Sequence, residues 1–397
     1  MSPDQRENEE ALRTLEHVRG LRDDFVELVS ELCRVESPSD HPETQAEVHR
    51  ILRPAFEDLG FEVEIIPGEL SGDHLLARSP EGDGSRPTQL IMGHSDTVWP
   101  LGTLERMPVE VDGGRLKGPG TLDMKGGLTS VIMALRTLRS LGMEPSVAPV
   151  VFVNADEEVG SPDSKKHVRR LAGEVSRALV VEPPLGLDGR IKTARKGVGN
   201  FHITLQGRAA HAGLDPLSGA SAIVELAHLI RKLDTLNDHQ GGTTVNVGTV
   251  RGGTRPNVIA AEARAQVDVR VVTVEAGEEL ERRIRALKPE NPDVSLRIEG
   301  GIRVPPLERT PRNRRLWKAA TEAADAMGLE LEEALAGGGS DGNTTSLYTA
   351  TLDGLGCVGD GAHADHEHIL IEPSLERCAL LARLLMAPVE VGQGGAE

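Results

Sequence analysis

The run QLIMGHSD, residues 89–96, carries four residues of apolar-rich chain straight into a histidine and an aspartate. Two more runs share that form. VVFVNADEE covers residues 150–158, and ALVVE covers residues 178–182. Short apolar runs that stop abruptly at polar residues suit interior strands covered on both faces. Between the first two, residues 126–141 place Leu128, Ile132, Leu135 and Leu138 at helical spacing. Strand, helix and strand in that order predict a layered α/β unit built on a mostly parallel sheet. In such sheets ligands bind beyond the carboxyl ends of the strands. His94, Glu158 and Glu182 all fall at such ends.

Working outward, residues 23–33 and 47–59 read as amphipathic helices and 61–66 as a strand. From about residue 196 the texture changes to strand (201–205), helix (219–233), two strands (244–250 and 263–271), helix (274–287) and strand (294–298). This alternation predicts a small inserted α+β domain. The Pro-rich VPPLERTP, residues 304–311, marks its exit, and a helix over 313–327 and an apolar stretch over 352–358 return to the first texture. The expected organisation is one domain from 1–195 and 307–397, with 196–306 inserted as a smaller α+β lid and dimerisation domain. Disorder is expected in the N-terminal dozen residues, in 81–86 and in the GQGGAE tail.

Composition limits the classes of function. A net charge of −18 disfavours nucleic acid and anionic membranes as partners, and five Phe, two Trp and one Tyr are too few for base-stacking modules. Residues 1–20 are acidic with no apolar centre, so neither a signal peptide nor a membrane span is expected there. Cys33, Cys357 and Cys378 have no paired spacing. Reduced thiols in a cytoplasm fit that scatter, and any metal would then be held by His and carboxylates.

The polar residues at the strand ends offer such ligands. His94 and Asp96 are two apart where a strand leaves the sheet, so one can ligate while the other orients its ring. Such a pair by itself reads equally as a solvated loop. GPGTLDMKGG, residues 118–127, is a glycine-rich turn ahead of a helix. It lacks the order of a phosphate loop, and Asp123 would repel a phosphate. Asp123 reads either as a helix cap or as a carboxylate bridging two cations. Glu157 and Glu158 point in different directions, which leaves one to coordinate and one to handle a proton. GDGAHADHEH, residues 359–368, adds His363, His366 and His368, any of which could complete a nitrogen and oxygen ligand set.

Taken together, GHSDTV, GPGTLDMKGG, DEEVGS and GAHADHE resemble, in this order, the motifs of the zinc aminoacylase and carboxypeptidase clan that includes acetylornithine deacetylase, succinyl-diaminopimelate desuccinylase and the glutamate carboxypeptidases. The resemblance covers nearly the whole chain. TARKGVG (193–199), GRAAHAG (207–213) and GGGSDG (337–342) make the glutamate carboxypeptidase branch the nearest likeness. The resemblance implies two zinc ions per subunit, replaceable by cobalt or manganese. Asp123 would bridge them, His94 and Glu182 would hold one, and Glu158 and His363 the other. It further implies Glu157 as general base, Asp96 as the orienter of His94 and a cis peptide after Asp123. His211 would reach the reacting carbonyl across a homodimer, and Asn257 and Arg270 would bind the substrate carboxylate. The implied reaction is hydrolysis of a small peptide or N-acyl amino acid to release a C-terminal amino acid. An N-acyl-amino-acid deacylase is the enzymatic alternative, and a catalytically silent ligand-binding homologue the other.

Overall fold

A computed structural model describes residues 3–80 and 86–389. Of the expected disordered segments, 392–397 and all but residue 86 of 81–86 lie outside the described residues. The N-terminal expectation is overturned, because Pro3–Gly20 is a helix. Ala11, Leu15 and Val18 recur at intervals of four and three residues and are buried. They pack on the helix Ile371–Met386. An acidic sequence hid this stripe, since three apolar positions are enough to face a neighbouring helix.

The chain divides into two compact units. One comprises Met1–Thr193, Arg309–Ala334 and Ser340–Glu397; the other comprises Ala194–Glu308 and Leu335–Gly339.

In the first unit, the strands Ala148–Asn154, Thr88–His94, Arg177–Val180 and Ala350–Asp353 are neighbours and pair in parallel. Glu62–Ile66 and His74–Arg78 extend the sheet antiparallel on one side, and Ile191–Arg195 pairs antiparallel on the other. Every residue of Ala148–Asn154 is buried, as the apolar run requires. The helix Gly126–Ser140 packs close to the sheet. A side chain at Gly93 would press on the ends of the Leu128 and Met124 side chains, so glycine just before His94 lets the helix lie close to the strand. Sequence reading missed the strand His74–Arg78, the helix Lys165–Glu174 and a four-stranded antiparallel sheet of two- and three-residue strands. That small sheet pairs His368–Leu370 with Arg115–Lys117 and thereby fixes the loop 361–367 to the turn that carries Asp123.

The second unit is a four-stranded antiparallel sheet in the order Thr244–Gly252, Glu262–Val271, Gly197–Gln206, Ser295–Val304. Alternation is strict in Glu262–Val271, where Ala263, Ala265, Val267, Val269 and Val271 are buried. They share one core with Leu226 and Leu229 of the helix Ala222–Asp234 and Leu280 and Ile284 of Val274–Arg285. Ser221 and Thr273 cap these two helices by accepting from Val224 and Ala276 N–H groups.

Candidate metal centre

His94 ends its strand and is 1% exposed. Its Nδ1 lies 2.9 Å from the main-chain oxygen of Asp96 and 3.4 Å from the Asp96 carboxylate. The opposite nitrogen, Nε2, faces Asp123 Oδ1 at 3.1 Å and Glu182 Oε1 at 3.6 Å. The fully buried Asp96 carboxylate has further partners that the sequence did not suggest. It accepts from Ser39 Oγ at 2.7 Å and from the N–H groups of Glu157 and Glu158, each at 3.2 Å. Asp96 therefore ties the His94 loop to the turn bearing both glutamates.

Asp123 lies in the turn Thr121–Lys125 that leads into the helix Gly126–Ser140, and the Asp123–Met124 peptide is cis, as the resemblance implies. Its carboxylate oxygens diverge: Oδ1 faces His94, and Oδ2 lies 3.4 Å from His363 Nε2. The turn is built around Glu367, which the sequence reading passed over. Glu367 Oε1 accepts from the N–H groups of Leu122 at 2.8 Å and Asp123 at 3.0 Å. Oε2 accepts from Gly120 N–H at 3.0 Å and Trp99 Nε1 at 2.7 Å. Burial pushes this carboxyl up to about 7, with the four donors acting in the opposite direction. Its position amid three histidines was the available signal, but a carboxylate there reads as solvent-facing until its donors are known.

Glu157 and Glu158 open a turn just after Ala148–Asn154, and Glu182 follows the end of Arg177–Val180. His363 Nε2 lies 3.2 Å from Glu158 Oε2. His363 adopts φ 61°, a left-handed conformation that costs a non-glycine residue about 1–2 kcal/mol. The structure thus brings His94, Asp96, Asp123, Glu157, Glu158, Glu182 and His363 into one cluster. His366 stays outside it, 3.9 Å from Asp360, and His368 Nδ1 turns to the His366 main-chain oxygen at 2.9 Å.

The charges in this cluster act strongly on one another. Burial opposes the charge on His94, yet its bonds to Asp123, Asp96 and Glu182 hold the imidazole well above its ordinary value. His363 is pushed up to about 10 by Asp123 and Glu158. Burial disfavours the charge on Asp123 too, but hydrogen bonds from His363 and His94 hold it well below the usual carboxylate range. Burial raises Glu157 far, with Glu182 repulsion adding to it, and raises Glu158 less.

Five carboxylates and two imidazoles in one cluster, with the Asp96 carboxylate already taken up by its donors, suit cations of the Zn²⁺ type, for which imidazole and carboxylate are natural donors. Ligand atoms of His94, Glu157 and Glu182 lie within 4.8 Å of one another, as do those of His94, Asp123 and Glu158. Glu158 Oε1 is buried without a hydrogen-bond partner among the described residues, a costly state that a cation would relieve. The donor set fits a metal pair.

The remaining expected residues lie in the second unit. His211 is exposed on a loop, and its Nδ1 accepts from Gly213 and Leu214 N–H groups at 3.2 Å, so its Nε2 is the outward donor. Asn257 presents its main-chain oxygen to Ala212 N–H at 3.0 Å. Arg270 already has a partner on its own strand: Asp268 accepts from its Nε at 3.0 Å and Nη2 at 3.2 Å. Period-two spacing contained this pair, because residues 268 and 270 share a sheet face.

Residues 193–292 match a family described as the peptidase dimerisation domain. Carboxypeptidase G2 of Pseudomonas sp. (strain RS-16) is 28% identical over 373 residues, which is 91% of this chain and 88% of that protein. Acetylornithine deacetylase of Myxococcus xanthus is 30% identical over 317 residues, covering 76% of this chain and 80% of that one. Among solved structures, the YXEP protein of Bacillus subtilis, described as a dinuclear metal-binding peptidase of the M20 family, superimposes with a TM-score of 0.67 at 17% identity. The match covers 93% of this chain and 98% of that one.

Proposed function

The chain belongs to the M20 family of metal-dependent peptidases and amidohydrolases, and on that premise we propose that it releases a C-terminal amino acid from a small peptide or N-acyl amino acid, in the manner of a glutamate carboxypeptidase. The observation that carries this reading is Asp123, whose two oxygens each face a different imidazole while the half-buried Glu157 stands in the same cluster. In this reading His94 and Glu182 would hold one zinc ion and Glu158 and His363 the second, with Asp123 contributing to both; cobalt or manganese would serve in place of zinc. The metal pair, when bound, supplies Lewis acidity to the scissile carbonyl and a water nucleophile at neutral pH.

The protein's own groups do the rest. Glu157 Oε takes a proton from the attacking water and returns it to the leaving nitrogen, a role that its raised proton affinity supports. Asp96 keeps Glu157 in place through the N–H bonds described above. Arg270 and Asn257 bind the free carboxylate of the substrate, with Asp268 holding the guanidinium plane ready for a second paired contact. The partner subunit's His211 donates to the carbonyl oxygen as charge builds on it. A homodimer is supported by exposed apolar residues on the second unit, where Leu214 is 82% and Leu217 95% exposed and Ile223, Val224 and Val250 are also uncovered.

The acetylornithine deacetylase likeness supports N-acyl-amino-acid deacylation as the second reading. A panel of dipeptides, folyl- and acyl-glutamates and short-chain N-acyl amino acids, assayed for amino acid release with and without chelator, tests the proposal. Highest kcat/KM on substrates with a C-terminal acidic residue supports it; highest kcat/KM on short acyl groups regardless of the amino acid selects the deacylase. No metal-dependent release from any substrate leaves a silent homologue.

A further inference from the structure

A second polar site lies in the catalytic unit outside the metal centre. A cleft of about 710 Å³ is lined by five cations, Arg177, Arg312, Arg315, Lys318 and Arg383, against two acids, Glu7 and Glu322. In a chain of net charge −18 such a concentration of positive charge runs against the composition. It needs a reason.

Three separate elements supply the cations. Arg177 opens the strand Arg177–Val180, at the end opposite to Glu182, so about 17 Å of extended strand separates the cleft from the metal cluster. Arg312, Arg315 and Lys318 are spaced by three residues along the helix Pro311–Ala326 and share a face. Arg383 comes from the last turn of Ile371–Met386.

Neutral groups satisfy much of this charge. Arg177, 3% exposed, donates to Gln89 Oε1 at 2.9 Å and to the main-chain oxygens of Leu384 at 3.0 Å and Ala387 at 2.8 Å, with no carboxylate among these partners. Arg312 donates to the main-chain oxygens of Ser346 and Tyr348. Its Nε is buried without a hydrogen-bond partner among the described residues, as is Arg383 Nη1, although the Arg383 guanidinium forms ion pairs with the exposed carboxylates of Glu10 at 3.5 Å and Glu7 at 4.0 Å. Lys318 has Glu322 at 3.3 Å, an exposed pair of little energetic weight. A buried guanidinium held only by neutral oxygens keeps its full charge, which a multivalent anion would neutralise. Leu316, Ala323 and Met386 add an apolar wall beside the charges.

We propose that this cleft binds a small multivalent organic anion, a phosphate ester or polycarboxylate, with its charged groups on the arginines and its carbon skeleton against the helix Pro311–Ala326. The proposal is independent of the hydrolytic reading, because no residue of the cleft belongs to the metal cluster.

Calorimetry on the metal-loaded full chain tests it, with sulfate, phenyl phosphate and benzene-1,3,5-tricarboxylate as probes at constant ionic strength. The expected order is weaker binding for sulfate, which cannot use the apolar wall, than for the two organic anions, whose ranking separates phosphate from carboxylate preference. Arg315→Gln/Lys318→Gln, both exposed positions, should weaken binding by at least ~10-fold, and raised NaCl should weaken it further. Arg312→Gln should do the same, with thermal unfolding confirming that the fold is kept. Chelation of the metal should leave binding unchanged. Absence of binding to the wild type, unchanged affinity in Arg315→Gln/Lys318→Gln, or loss of binding on chelation overturns the proposal. So does binding that appears only when residues 390–397 are removed, which would make the chain's own tail the occupant.

Discussion

Glu367→Gln tests the architecture beneath the metal centre most directly. The Glu367 carboxylate accepts four N–H bonds, two on each oxygen. A glutamine keeps one oxygen and turns an NH₂ group toward the other two donors, so two bonds are lost and donors face donors. Hydrogen bonds to a charged acceptor are worth about 1.5–3 kcal/mol each, so the loss is about 3–6 kcal/mol before the turn relaxes. Relaxation moves the turn Thr121–Lys125, and with it Asp123, whose N–H is one of the four donors. The expected outcome is a fall in Tm of roughly 5–10 °C and metal affinity weakened roughly 10- to 100-fold, the range for a group that supports a ligand. Differential scanning calorimetry, metal analysis by plasma mass spectrometry and activity as a function of added zinc read all three. Because Glu367 acts through Asp123, kcat should recover toward wild type at saturating metal. Wild-type Tm together with wild-type metal affinity would refute the reasoning, and a kcat deficit that excess metal does not repair would place Glu367 in the chemistry itself.

Chelation should abolish hydrolysis and zinc or cobalt should restore it; full turnover by a protein shown to be metal-free would remove the metal mechanism. Glu157→Gln should lower kcat by several orders of magnitude while both metals remain bound, and loss of metal on analysis would instead make Glu157 a ligand, which its grouping with His94 and Glu182 permits. Arg270→Ala should raise KM for substrates with a free carboxylate and leave their amides nearly unaffected, whereas equal effects on both would exclude it from substrate binding. Mixing inactive Glu157→Ala and inactive His211→Ala subunits should recover activity in the mixed dimer; confirmed subunit exchange without recovery would show that His211 does not act on the partner's site.

Three of the four parallel strands were legible because a strand buried on both faces must be an apolar run, and 89–92, 150–153 and 178–181 are such runs; the fourth, Ala350–Asp353, showed only as part of an apolar stretch over 352–358. Ligand candidates were legible for a related reason: His94, Glu158 and Glu182 come within five residues of the ends of those runs, so local chain order puts them at the sheet's carboxyl edge. Other features had no local signature. The strands of the small sheet are only two or three residues long, too short to show periodicity, yet they hold His363 and Glu367 against the Asp123 turn across more than 240 residues of sequence. The helix Pro3–Gly20 is polar and charged over most of its surface and shows its three core residues only against Ile371–Met386.

By itself, then, the sequence determined which residues can carry chemistry and at which strand ends they emerge, since composition and periodicity act locally along the chain. Tertiary structure alone decided which atoms meet. Asp123 divides its oxygens between His94 and His363, and Asp96 spends its carboxylate on Ser39 and the Glu157–Glu158 turn. Each depends on side-chain direction and on partners brought in by packing, and hydrogen bonds only a few ångströms long are set by how distant segments close around one another.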